Sequence, residues 1–153
     1  MKINFKKLII SILIPLLLGG IVGFLTSGSN SYNDLVQPFF APPAILFPIV
    51  WTILYILMGI SFYIIDTSNN TFKGDAKFIY YLQLIVNLLW SFFFFTFKWY
   101  LFSAIWIVLL IILVITMIKK FYNISKLSAY LQIPYLLWLV FALILNISIF
   151  VLN

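Results

Sequence analysis

Five apolar runs separated by polar stretches set the pattern of this chain, at about residues 8–25, 44–65, 78–97, 101–118 and 127–152. Each approaches or exceeds the roughly 20 residues that a helix needs to cross the hydrocarbon core of a bilayer. Inside lipid every backbone N–H and C=O must be satisfied within its own segment, so such runs read as helices. The pattern predicts an all-α integral membrane protein, a bundle of five transmembrane helices forming one domain over residues 1–153. Short connections force neighbouring helices antiparallel. The longest connection, TSGSNSYNDLVQPFFAPP at 26–43, separates the first two helices, and its Gly, Ser, Asn and Pro exclude helix as far as Pro42-Pro43. Pro48 falls in the first turn of the second helix, where a missing N–H costs least.

Composition supports this reading. Hydrophobic residues make up 65% of the chain and charged residues 8%, against about 25% charged in soluble domains. All nine basic residues are lysines, and the net charge is +6. They lie between apolar runs rather than on one basic face, so they report topology and not a nucleic-acid partner. Lys2, Lys6, Lys7, Lys73, Lys77, Lys119, Lys120 and Lys126 fall on one side of the bilayer and only Lys98 on the other. The positive-inside bias then puts the N-terminus inside, the C-terminus outside and the proline-rich loop outward, in a bacterial plasma membrane. The first run follows three lysines, as a signal peptide would, but its length and the lack of an A-x-A-like site favour a retained helix.

Several chemistries are disfavoured. Without cysteine or histidine there is no disulfide, thiol nucleophile or Cys/His metal site. Asp34, Asp66 and Asp75 are scattered, a poor basis for a metal cage, and a ligated haem would have to rely on methionine or tyrosine. Every Asp and Lys sits in a loop or at a helix end, so a proton pump or voltage sensor lacks its working groups. No nucleophile–base pair, internal repeat or filter sequence is visible.

Polar and aromatic residues on the spans form stripes. Gln83, Asn87, Trp90 and Phe94 recur at helical spacing on the third span, with Ser91 beside them. Phe47, Trp51, Tyr55 and Met58 do so on the second; Trp138, Ala142 and Asn146 do so on the fifth, near Pro134 and Tyr135. Small Ala142 leaves space between its neighbours. Such faces can enclose a flat apolar ligand by stacking and a few hydrogen bonds. Alternatively, Asn87 and Asn146 only join helices while the tryptophans fill the core. Gly19 and Gly23 form a GxxxG pair, which serves either intrachain packing or a homodimer seam. Phe39 and Phe40 are large apolar residues in the first loop, suited to the interface or to covering a pocket.

PPxxxFPIVWTxLYxLMGIS at 42–61, QLxxNLLW at 83–90 and PYLLWxxFAxxLN at 134–146 resemble the TspO/MBR family, the tryptophan-rich sensory or translocator proteins, once called peripheral-type benzodiazepine receptors. The resemblance spans essentially the whole chain. It implies a five-helix bundle, often a homodimer, whose cavity binds tetrapyrroles such as protoporphyrin IX and synthetic isoquinoline-carboxamide or benzodiazepine ligands, with no required cofactor. The pocket positions it implies are Tyr32, Trp51, Tyr55, Asn87, Trp90, Ser91, Trp138, Ala142 and, from the stripe, Asn146, under a lid of Phe40, Pro42 and Pro43. Trp51 and Trp138 match the tryptophans linked in the family to light-dependent porphyrin breakdown, and would be the catalytic candidates of an enzyme. Ser31, Gln37 and Phe40 replace a Trp, Lys and Trp of the common loop pattern, so the attraction for a porphyrin carboxylate is weaker. The sterol pattern of a Tyr followed by Lys or Arg is absent from LNISIFVLN at 145–153. The leading expectation is a membrane tetrapyrrole sensor; a porphyrin-degrading enzyme, a transporter of porphyrin-like solutes and a partner-binding scaffold are the alternatives.

Overall fold

The computed structural model describes residues 2–27 and 32–153; Ser31, one of the loop departures, lies outside them. The described residues fold into helices α1 (Phe5–Ser27), α2 (Leu46–Asp66), α3 (Lys73–Ser91, continued by a π-helical turn at Phe92–Thr96), α4 (Tyr100–Tyr122), α5 (Lys126–Leu131) and α6 (Ile133–Leu152). They contain no strand. Five helical stretches are long and apolar enough to cross a membrane, the fifth being α5 and α6 together. This is an integral membrane protein.

The spans differ from expectation at their ends. Lys73–Lys77, expected in a polar loop, form the first turn of α3. Lys77 pairs with Asp66 at 2.7 Å, and Lys73 Nζ donates to the carbonyls of Asp66 and Ser68 at 3.2 and 3.1 Å. These cations close the carbonyl end of α2, where positive charge is favoured. Likewise α4 runs on through Lys119 and Lys120 to Tyr122.

The fifth span is broken, not continuous as expected. Pro134 at the start of α6 has no N–H and would clash with a carbonyl one turn back, so the helix restarts at Ile133. Gln132 at the break is fully buried, and neither polar atom of its side chain has a protein partner.

Neighbouring spans run antiparallel. Ser11 and Ile12 of α1 lie against Gly59 of α2, where an added Cβ would collide with their backbone. Farther along, a Cβ on Gly19 would meet the Tyr55 ring, while nothing approaches Gly23 within 4 Å. Gly19 therefore serves intrachain packing, the first of the two roles open to the pair. Trp106 of α4 donates its indole N–H to the Val86 carbonyl of α3 at 2.7 Å. Lys98, at φ 57°, makes the sharp reversal between α3 and α4.

Candidate ligand-binding site

The half of the bundle nearer the lysine-rich end is tightly filled. Met58, Ile65, Val114, Met117 and Phe121 are wholly buried there. Above them runs a polar chain. Tyr55 donates to Asn87 Oδ1 at 2.7 Å, Asn87 Nδ2 donates to the Tyr135 hydroxyl at 2.7 Å, and Tyr135 donates to Gln83 Oε1 at 2.8 Å. Helices α2, α3 and α6 are thus joined through one buried network, as polar side chains at membrane depth require.

Nearer the opposite end the rings no longer close on one another. Tyr32, Phe47, Trp51, Trp90, Phe94, Phe95, Trp138, Ala142, Leu145 and Asn146 line a narrow cavity of about 20 Å³. Trp51 stacks on Tyr55 at 5.5 Å on its floor, and Phe47 meets Trp138 edge to face at 6.0 Å across it. Asn146 is held from three sides. Its Oδ1 accepts from Trp90 Nε1 and Ser103 Oγ, both at 3.1 Å, and its Nδ2 donates to the Tyr100 carbonyl at 2.8 Å. The indole N–H of Trp138, by contrast, is buried without a protein partner. A buried donor left so costs about 1–3 kcal/mol, and a ligand acceptor would relieve it.

The loop at 32–45 roofs this space. Tyr32 forms a 3₁₀ turn with Asn33 and Asp34, is almost fully buried, and donates its hydroxyl to the Pro42 carbonyl at 2.8 Å. Burial raises its phenol above the ordinary value, so it stays protonated to donate. Gln37 Nε2 donates to the Tyr32 carbonyl at 2.7 Å, and Asn153 brackets Val36 with bonds of 3.0 and 2.9 Å. Phe40 packs edge to face on Phe141 at 6.2 Å, while Phe39 is fully exposed.

Of the expected site residues, Tyr32, Trp51, Trp90, Trp138, Ala142 and Asn146 meet at the cavity. Tyr55 and Asn87 lie beneath it, hydrogen-bonded into the buried network that joins three helices. Ser91 does not reach the lining, and Pro42 serves through its carbonyl. Phe95 and Leu145 were not expected. The π-helical turn carries the first: one extra residue in the turn, closed by the 2.9 Å bond from Phe97 N–H to the Phe92 carbonyl, lets Phe95 join Phe94 at the wall. No group of His, Cys, Asp or Glu among the described residues could hold a metal.

Fold and cavity together define a class: small five-span helical membrane proteins with an aromatic chamber under an extramembrane loop. Comparison with known proteins gives the family. The TspO/MBR family pattern matches residues 11–152, and the chain belongs to that family. It is 41% identical to the tryptophan-rich protein TspO of Archaeoglobus fulgidus, over 98% of this chain and 99% of that one. It is 40% identical to the tryptophan-rich protein TspO of Chlorobaculum tepidum, over 80% and 78% of the two chains. Protein CrtK of Rhodobacter capsulatus is 32% identical over 88% and 85%.

Proposed function

We propose that this chain is a membrane sensor whose chamber binds a flat, largely apolar tetrapyrrole of the protoporphyrin IX type, and also accepts isoquinoline-carboxamide or benzodiazepine ligands. The observation that carries this reading is the lining itself. Three indoles, from Trp51, Trp90 and Trp138, face one space closed by phenyl rings and Ala142. Stacking surface of this kind favours a planar π-system. The unpartnered Trp138 N–H adds one donor for a carbonyl or carboxylate. At about 20 Å³ the chamber is far smaller than small-molecule sites of about 300–1,000 Å³, so a ligand of any size requires its walls to yield.

Titration of protoporphyrin IX into the purified protein tests the reading. Saturable quenching of tryptophan fluorescence supports it, and an unquenched signal removes it. A second reading, light-driven porphyrin breakdown, is favoured by Trp51 and Trp138 lining the same space. Replacing both by Phe would then abolish light-dependent loss of porphyrin while binding largely persists; equal loss with and without protein rejects the reaction.

The lysine asymmetry supports a plasma-membrane protein with its N-terminus inside and its C-terminus outside. Labelling of single cysteines at Lys2 and Asn153 from the two faces of sealed cells checks this. A homodimer fits the same reading, with the open face of Gly23 as its helix-1 contact. If Gly23→Leu leaves cross-linking in membranes undiminished, that seam is wrong.

A further inference from the structure

Trp138 belongs to two spaces at once. One face borders the chamber. The same residue, with Val50, Ile53, Leu137 and Phe141, lines an open groove of about 440 Å³ between α2 and α6 on the outside of the bundle. The groove carries no charged residue, and Ile53 and Leu137 are 54% and 64% exposed, directed to where the bilayer lies. The backbones of α2 and α6 scarcely approach each other, whereas α2 packs closely on α1, α3 and α5. Two edge-to-face ring pairs span the gap, Phe47–Trp138 at 6.0 Å and Trp51–Tyr135 at 6.1 Å.

The roof is held differently. Within it Tyr32 bonds to the Pro42 carbonyl and Gln37 to the Tyr32 carbonyl, and Asn153 ties it to the end of α6 with two bonds to Val36 of 3.0 and 2.9 Å. Lifting it from the bundle breaks the two Asn153 bonds, while opening the side wall separates ring edges and turns one indole whose N–H has no protein bond to lose. An edge-to-face aromatic pair contributes only about 0.5–1.5 kcal/mol beyond its buried area.

We propose that the α2–α6 gap is the port through which the chamber exchanges its ligand with the bilayer, with the Trp138 indole as its gate. The occupant in transit is a planar apolar molecule already dissolved in lipid. This deepens the binding reading above and rests on it. It also accounts for a roof that is bonded shut: the solute need not pass through water.

The chain has no cysteine, so paired cysteines can be placed on a clean background. Ile53→Cys with Leu137→Cys, joined by a bis-maleimide, bridges the groove without touching the chamber lining. Val36→Cys with Asn153→Cys, oxidised, ties down the roof. Each protein in lipid nanodiscs is mixed rapidly with protoporphyrin IX, and the rate and final extent of tryptophan quenching are recorded. The port predicts association slowed by about tenfold or more in the groove-bridged protein, as when binding must await a blocked conformational step. Its equilibrium quenching is retained, and the roof-tied protein stays within about twofold of the unlinked chain. An unchanged rate across the bridged groove, or slowing by the roof tie alone, overturns the port while the binding reading survives. If the unlinked chain itself is not quenched, both fall.

Discussion

The two halves of the bundle solve the same problem in opposite ways. Toward the lysine-rich end, Tyr55, Asn87, Tyr135 and Gln83 form one hydrogen-bonded chain, and Met58, Val114, Met117 and Phe121 leave no exposed surface. Toward the loop end, rings meet edge to face around a space they do not fill. Packing in lipid gains nothing from the hydrophobic effect between helices, so shape and hydrogen bonds hold the bundle. The closed half supplies that cohesion, and the loop half keeps a narrow cavity that is costly to stability.

Substitutions can break or sharpen this contrast. The largest effect is expected at Asn87. Asn87→Leu strands the Tyr55 hydroxyl and takes one donor from Tyr135, which keeps its bond to Gln83; a buried group left unpaired costs about 1–3 kcal/mol. A fall in Tm of roughly 8 °C in thermal unfolding follows from a loss of about 3 kcal/mol at this chain length. A shift of a degree or two would mean that the network holds little. Next is Gly19→Ala, whose new methyl meets the Tyr55 ring already pinned by Asn87. It should cost about 1–3 kcal/mol, as overpacking does. Gly23→Ala, facing open space, should stay within about 0.5 kcal/mol.

In the loop half the cavity is too narrow for another ring. Ala142→Phe overfills it, so porphyrin affinity drops about tenfold, near 1.4 kcal/mol, and stability falls by about 1 kcal/mol as the walls give way. A Tm loss matching that of Asn87→Leu would show the loop half to be as closely packed as the other. A smaller effect in this half is expected of Tyr32→Phe, which removes the bond to the Pro42 carbonyl but keeps the ring against Phe47 at 5.0 Å. About 0.5–1.5 kcal/mol of stability should go with it.

Much of this architecture was legible in the order of residues. The steps from Gln83 through Asn87 and Trp90 to Phe94 announce one inward face, because a polar residue at membrane depth has nowhere else to turn. The five spans follow from run length alone. What a pattern cannot carry is which inward residue meets which. Asn87 and Asn146 look alike in their stripes, yet one is consumed beneath the chamber and the other borders it. The difference is set by where Tyr55, Tyr135, Ser103 and the Tyr100 carbonyl arrive from other helices. Periodicity also assumes an unbroken helix. The π turn at Phe92–Thr96 and the restart after Gln132 violate that assumption, and Phe95 escaped for this reason. Pro134 was a visible sign of the second break. The five consecutive aromatic and threonine residues of the π turn gave none of the first. Lys73–Lys77 were hidden by their charge: a helical turn that caps its neighbour has the composition of a loop.

Gly59 and Gly19 have a consequence for how the chain is assembled. They form a reciprocal key, one notch on each helix at different depths, each filled by the other helix. Sliding α1 along α2 by one turn, about 5.4 Å, would empty both notches and drive side chains against backbone. This key admits a single alignment of the first two spans. That alignment sets how far apart Ser27 and Leu46 come to rest, and so where α2 begins beneath the roof at 32–45. The position of one wall of the chamber is decided half a bilayer away, by two missing side chains.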